Sequence, residues 1–303
     1  MSEFAIAGWG AVSPAGWGVD ALRESDAAIV SEIERPGWGE RLRVRRVPKE
    51  GMPRQLFRHA RLRRTSAIGR YAMAAAQEAV EMAALPAGAG RRLGIVYCTT
   101  CGCVSYSRRF YAEVLDDPAV ASPLIFPETV FNAPGSHLSA VWENPAVNYT
   151  LVGDSGVFLQ GLAVAANWLE AGRVDDCLVV GAEELDWINA NVLLHFDRRS
   201  YLGEGAGAMM LSRGRTGVGL GAISSVHDYA LTGARRAAWD SMTAELGGNP
   251  GRQEFGCEAF SAGAAWSSVV AADRIARHGA ESVTVGVPGV YQFAVGAVFQ
   301  RDA

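Results

Sequence analysis

The chain has 303 residues, 49% hydrophobic and 20% charged, with a formal net charge of −4. That composition supports a sizeable core and excludes a disordered chain, and the acidic balance argues against nonspecific nucleic-acid binding. No run of about 18 apolar residues predicts a membrane span, and the opening MSEFAIAGWG lacks the basic and then apolar pattern of a signal peptide.

In chain order, Phe4 to Val12 (FAIAGWGAV) predicts a buried strand, Ser13-Pro14-Ala15-Gly16 a turn, and Val19 to Glu24 a helix. Residues 31 to 60, rich in Pro, Arg and Gly, read as an irregular surface excursion. Ser66 to Ala84 carries apolar residues at helical spacing and few β-branched ones, the pattern of a long buried helix. Ahead of it stand Arg54, Arg58, Arg61, Arg63 and Arg64. Leu93 to Thr100 is a strand, with Cys101 to Val104 as the loop after it. Val147 to Val152 is a β-rich run, followed by a Gly-Asp-Ser-Gly turn, an apolar helix from Val157 to Glu170, and a buried strand from Cys177 to Gly181. A short degraded segment after Leu185 leads to Leu202 to Leu211 (LGEGAGAMML), whose alternating small residues suit a strand packed closely on a helix layer. Val218 to Val226 predicts a strand, Ser261 to Arg277 a helix, and Val283 to Val287 with Phe293 to Gln300 a closing pair of strands.

Strand, sharp turn, helix, strand is how α/β enzymes present a nucleophile, because the turn sets one side chain at a helix N-terminus. Here the run VNYTLVGDSG resembles the P-N-Y-S-I-S-T-A-C-S-S-G elbow of the β-ketoacyl synthases, the condensing enzymes of the thiolase superfamily. The resemblance extends to the first strand and turn, to the helix after Ser66, to the strand LGIVYCTT, and to Phe196-Asp197-Arg198 followed by LGEGAGAMML. It implies a thiolase-like α/β fold in αβαβα layers, with two mixed sheets and a shortened C-terminal half. The expected halves are 1–203 and 204–303, within one compact domain.

The same resemblance marks what is missing. No cysteine lies at the elbow, where Gly153, Asp154 and Ser155 stand. The histidine of the family's A-H-G-T-G-T loop has no counterpart, the loop being shrunk to Arg235 to Gln253. At the K-S-x-x-G-H motif, Gly256-Cys257 replaces Gly-His. The gating loop G-F-G-G is reduced to Pro288-Gly289-Val290-Tyr291. Condensation needs a thiolate to hold the acyl group and imidazoles to steady the developing charge, and such groups act as a unit. The resemblance therefore implies no catalytic set and no cofactor.

Other chemistry is weaker. Cys98, Cys101 and Cys103 invite a metal, but no second C-x-x-C or His pair follows at ligand spacing, so buried thiols are expected. An odd count of five cysteines fits a reducing, cytoplasmic setting. Cys257, just ahead of a helix, is a candidate relocated nucleophile. Asp154 and Ser155 with His195 or His227 would form a hydrolase triad, though G-D-S-G is not G-x-S-x-G.

By the resemblance, the segment Ser105 to Trp142 lies along a dimer interface and acyl tunnel. Phe126, Phe131, His137, Trp142, Asn148 and Tyr149 are the interface candidates, with ordinary core as the alternative for the aromatics. The five arginines are either a solvated face or a docking patch for an acyl carrier protein. The function implied is a chain-length-factor-type, noncatalytic subunit that forms a heterodimer with an active ketosynthase in polyketide or fatty-acid-type biosynthesis. A condensing enzyme or acyltransferase using Cys257, and a homodimeric acyl- or carrier-protein-binding scaffold, are the alternatives.

Overall fold

The computed structural model describes residues 4–24, 29–84, 92–143, 147–227, 235–248, 250–251, 255–289 and 293–301. The chain opens with β1 (Phe4–Ser13), β2 (Gly16–Trp17) and α1 (Val19–Arg23), then β3 (Val30–Arg35) and β4 (Glu40–Arg45). Next come α2 (Ala67–Ala83), β5 (Leu93–Thr99), α3 (Val104–Asp116), α4 (Ala133–Val141), β6 (Asn148–Val152), α5 (Val157–Glu170) and β7 (Asp176–Glu183). The rest is α6 (Trp187–Phe196), β8 (Leu202–Gly203), β9 (Gly205–Arg213), β10 (Val218–His227), α7 (Arg235–Leu246), α8 (Phe260–His278), β11 (Ser282–Pro288) and β12 (Phe293–Arg301).

Five strands in the order β6-β5-β7-β9-β1 form the first sheet, parallel from β6 to β7 and antiparallel from β7 to β1. Helix α2 covers one face, with α4 beside it, and α5 and α8 cover the other. The far side of α8 carries β10, β12 and β11, and α7 closes the outside of that second group. The layering is therefore αβαβα, with a second half of three strands and one outer helix. The two expected sheets are hydrogen-bonded into one at a single register pair, Ile6 opposite Val218.

Small residues set the closest layer contact. A methyl at Gly8 would strike Ala79 O and one at Gly10 would strike Ala75 O, so β1 and α2 pack backbone to backbone. On the other side the wholly buried Trp266 of α8 donates its indole Nε1 to Val12 O and Ala206 O, both at 2.9 Å, tying α8 across β1 and β9. Two large apolar clusters fill the space between layers, one under α2 and one around α5 and α8.

Three expectations are corrected. Residues 31 to 45 are not irregular, though 46 to 60 are turns and short 3-10 turns: β3 and β4 form a hairpin in register from Val30 opposite Arg45 to Arg35 opposite Glu40, and β4 joins β8. The two-residue alternation in IER and RLRVR is short and broken by Pro36-Gly37, which hid it. The segment after Leu185 is an intact helix, α6, started by a capping box in which Asp186 accepts from Ile188 N and Asn189 Oδ1 accepts from Asp186 N. Part of the shrunken loop from Arg235 is helix α7, whose Ala238 and Met242 pack on Ala294. Val290 and Tyr291 of the reduced gating loop lie outside the described residues.

Candidate functional site

The elbow is where the sequence placed it. β6 delivers the chain beside β5, Gly153 N donates to Thr99 O (3.2 Å), and α5 begins after Gly156. Asp154 turns its side chain back on the loop, with Oδ1 accepting from Ser155 N (2.7 Å) and its carbonyl accepting from Val157 N (2.8 Å). Ser155 is 3% exposed, so its hydroxyl is no open nucleophile.

The space in front of this turn is filled. A methyl at Gly156 would overlap Val295 Cγ1 and stand 3.3 Å from Phe293 Cε1, and one at Gly289 would overlap Asp154 Oδ2. β12 and Gly289 therefore crowd the turn at the start of α5. Of the two histidines weighed for a triad, His227 stacks on Phe293 at 5.6 Å between centroids. His195 stands exposed on α6, which packs on β3, β4 and β8 and not on the elbow.

Cys257 lines a separate cavity of about 400 Å³ with Phe255, Glu258, Phe260, Arg199 and Pro288. Its sulfur lies against Gly203, and Arg45 packs on the neighbouring Gly256. Burial pushes its thiol up to about 12; Arg45 pulls the other way and Glu258 adds to the rise. The N-terminus of α8 gives little help, since Glu258 Oε1 accepts from Phe260 N (2.7 Å) and Glu183 takes the next residue, Ser261. The helix dipole already faces two carboxylates.

The other cysteines do not converge. Cys98 packs in the cluster around α5, Cys103 in the one under α2, and Cys101 beside the small cluster of β4, α6 and β8. Burial raises all three thiols. Among the described residues no three His, Cys, Asp or Glu side chains group as metal ligands.

The interface candidates divide. Phe126 (54% exposed), Phe131 (45%) and Tyr149 (52%) are open, as are Val147 just before β6, Val152 on it, and Tyr111 and Leu115 on α3. β6 is the edge of the first sheet. Phe131 lies flat on Gly102, at φ 67°, where any side chain would overlap its ring. Trp142 is half-buried against the core under α2, and His137 Nε2 faces Glu128 Oε2 at 2.9 Å. Asn148 ties β6 to α4 by donating to Gly135 O (2.6 Å) and Ser139 Oγ (2.8 Å). Arg54, Arg58, Arg61, Arg63 and Arg64 are all exposed around two short turns at Leu56–Arg58 and Ala60–Leu62, and among the described residues none forms an ion pair.

Sequence reasoning missed one group. Glu183, Glu184, Asp186 and Glu204 are all buried at the same end of the sheet. The signal was there: two adjacent acids close β7, an otherwise apolar strand, and buried Glu is rare unless satisfied.

The family description for 3-oxoacyl-(acyl-carrier-protein) synthase III matches residues 154–228, from the elbow aspartate to just past β10. No curated protein sequence matches the chain. Among solved structures, the ishigamide ketosynthase/chain length factor superposes with a TM-score of 0.81 at 18% identity, covering 99% of each chain. A type II polyketide synthase ketosynthase bound to the hexaketide, in complex with its acyl-carrier protein (AntDE:AntF), gives 0.79 at 13%, again covering 99% of each. The ketosynthase ApeO in complex with its chain length factor ApeC, from Xenorhabdus doucetiae, gives 0.77 at 14%, covering 99% of this chain and 98% of that one. These likenesses define the class of architecture: a thiolase-like layered α/β fold. Within it the chain has the fold of the ketosynthases and chain length factors on which it superposes. No helix among the described residues is long and apolar enough to cross a membrane.

Proposed function

We propose that this protein is a noncatalytic ketosynthase-like subunit that pairs with an active β-ketoacyl synthase and meets an acyl carrier protein in polyketide or fatty-acid-type assembly. The observation that carries the reading is the elbow: Gly153-Asp154-Ser155-Gly156 offers no thiol, and at Gly156 even an added methyl would overlap Val295 and come close to Phe293. A carboxylate and a buried serine cannot replace a thiolate as acyl acceptor there. Cys257, the relocated candidate, is held protonated by burial and faces a helix end already capped by acids.

What survives is surface. The edge strand β6 leaves backbone groups open, and Tyr149 on it, like Phe126 and Phe131 elsewhere on the surface, leaves apolar side chain exposed, which monomers ordinarily cover. The structural neighbours include a ketosynthase in complex with its chain length factor, and a second with its carrier protein. The five exposed arginines give an acidic carrier protein a positive surface to approach. Fold likeness supports the pairing by analogy, and the filled elbow supports the lack of chemistry on its own.

The test is coexpression with a cysteine-bearing ketosynthase, followed by mass measurement after loading from acyl-carrier protein. A one-to-one complex with the acyl adduct on the partner alone supports the reading. An adduct on Cys257, or a stable symmetric homodimer that ignores the ketosynthase, overturns it in favour of an acyltransferase or a scaffold.

A further inference from the structure

The cavity of about 400 Å³ beside Cys257 is walled on one side by α8, whose Gly263, Ala264 and Ser267 stand three and four residues apart and share a face. Phe255, the end of β11 at Pro288, and Arg199 in the loop after α6 complete it. Its size falls within the roughly 300–1,000 Å³ of small-molecule sites.

Gly263 has no structural need to be glycine. Its φ lies outside the left-handed region, and a methyl added there would meet only Ala259 Cβ, at 3.8 Å, an ordinary contact. Gly207, which faces the same helix from β9, differs: a methyl there would overlap Ala265. Glycine within a helix is destabilising relative to alanine, so one that neither packing nor backbone geometry demands, set in the wall of a cavity, keeps room for something else. Backbone strain marks the same place. Phe260 takes φ 44°, which a bulky residue rarely adopts, with its ring in the cluster of Leu42, Leu185 and Leu202.

Two arginines give the charge of the occupant. Among the described residues the guanidinium of Arg199 makes no ion pair or hydrogen bond; only its backbone N is engaged, with Asp197. Arg45 lies across Gly256, its Cζ 2.9 Å from where a Cβ would stand, and its Nε is buried without a partner. The acid of the lining, Glu258, is turned to the start of α8, where Oε1 accepts from Phe260 N (2.7 Å). Partly buried guanidinium groups are ordinarily paired, and their planar fork matches a carboxylate. We propose that this cavity binds a small organic acid, its carboxylate on Arg199 in the added field of Arg45, and its apolar body against Gly263, Ala264 and Phe255. A bare inorganic anion would leave the apolar wall uncovered, and a neutral apolar molecule would leave both guanidinium groups unpaired. The site is independent of the pairing proposed above, since it uses none of the interface candidates and none of the five arginines ahead of α2.

Titrating hexanoate into the intact, nitrogen-15-labelled chain tests it, with hexanol and inorganic phosphate as controls. The amides of Gly256, Gly263 and Ser267 should shift and saturate by about 10 mM hexanoate. Hexanol and phosphate should each bind at least about tenfold more weakly, the size of a lost charge-assisted bond. Arg199→Gln, a change at an exposed residue, should weaken hexanoate about tenfold or more. Gly263→Leu should abolish binding by filling the wall, while the melting temperature holds or rises, because a void is filled and a helix glycine removed. Hexanoate that produces no saturable shift at these amides, that binds Arg199→Gln or Gly263→Leu as it binds wild type, or that hexanol matches, overturns the proposal. Phosphate of equal affinity would mean a bare anion site and overturns it too. Should leucine prove too large to fold, Gly263→Ala decides: a melting temperature at or above wild type supports the argument from room, and one below it refutes it.

Discussion

Gly156 is where the claim of a sealed elbow is most exposed to test. At φ −83° and ψ 3° it occupies backbone space open to any L-residue, so the lack of a Cβ there answers to crowding and not to conformation. Gly156→Ala puts a methyl into Val295 Cγ1 and close to Phe293 Cε1. Val295 is 0% exposed and held in β12 between β10 and β11, so it has nowhere to retreat. Overpacking of this kind costs about 1–3 kcal/mol, and alanine in place of a capping glycine adds about 0.5 kcal/mol. Val295→Ala alone leaves a void and costs about 2 kcal/mol. In the double variant the new methyl enters the space the valine gave up, so the losses should fall short of additive by about 2 kcal/mol. Urea unfolding followed by tryptophan fluorescence measures all four corners of the cycle. A Gly156→Ala protein within about 0.5 kcal/mol of wild type, or strict additivity, would mean the elbow is open and the reasoning wrong.

Three further outcomes follow from the same structure. Cys257, pushed up to about 12 by burial, should be about one part in ten thousand thiolate at pH 8, so iodoacetamide should label it far more slowly than a free thiol; rapid labelling at neutral pH would revive it as a nucleophile. Glu183 and Glu184 sit near 7 against an ordinary 4.5, so the folded chain binds extra protons between those values. The stability they contribute is full below about pH 4.5 and is lost as pH rises through 7, at about 1.4 kcal/mol per pH unit for each; urea midpoints that rise from pH 5.5 to 7.5 would contradict this. Tyr149→Arg, on the exposed edge strand, should weaken capture of a coexpressed ketosynthase by roughly tenfold or more without lowering the melting temperature; unchanged capture would move the interface elsewhere.

The long apolar segments were legible because their pattern is decided locally. α5 runs from Val157 to Glu170 as its spacing predicts, and α8 extends the predicted helix by one residue at each end. α7 was not legible, because RRAAWDSMTAEL shows only a narrow apolar stripe, Ala238 and Met242, and becomes a helix by packing on Ala294. The elbow was half legible. The missing thiol could be read from Gly153 to Gly156, but the side chain that fills its place, Val295, comes from a strand at the other end of the chain. The glutamate pair shows the same limit: two acids ending a strand are visible, while the amides of Ile68, Cys101 and Ser105 that they accept from come to them only in the folded protein.

That limit bears on whether catalysis could be restored by putting back the missing groups. Asp154→Cys with Cys257→His would return two of the three family side chains, yet each position is crowded on one side. A cysteine at residue 154 would lose the carboxylate that accepts from Ser155 N and would still face Gly289. An imidazole at residue 257 would have to enter between Gly203 and the Arg45 side chain, where a thiol already touches the glycine. Its charged form would be welcome near Glu258 but not beside Arg45. The double variant should therefore take up no acyl group from a carrier protein, measured as mass added after incubation. Acylation of residue 154 in that variant would show that the framework is still a working condensing site lacking only its reactive atoms, and the proposed pairing would lose its main support.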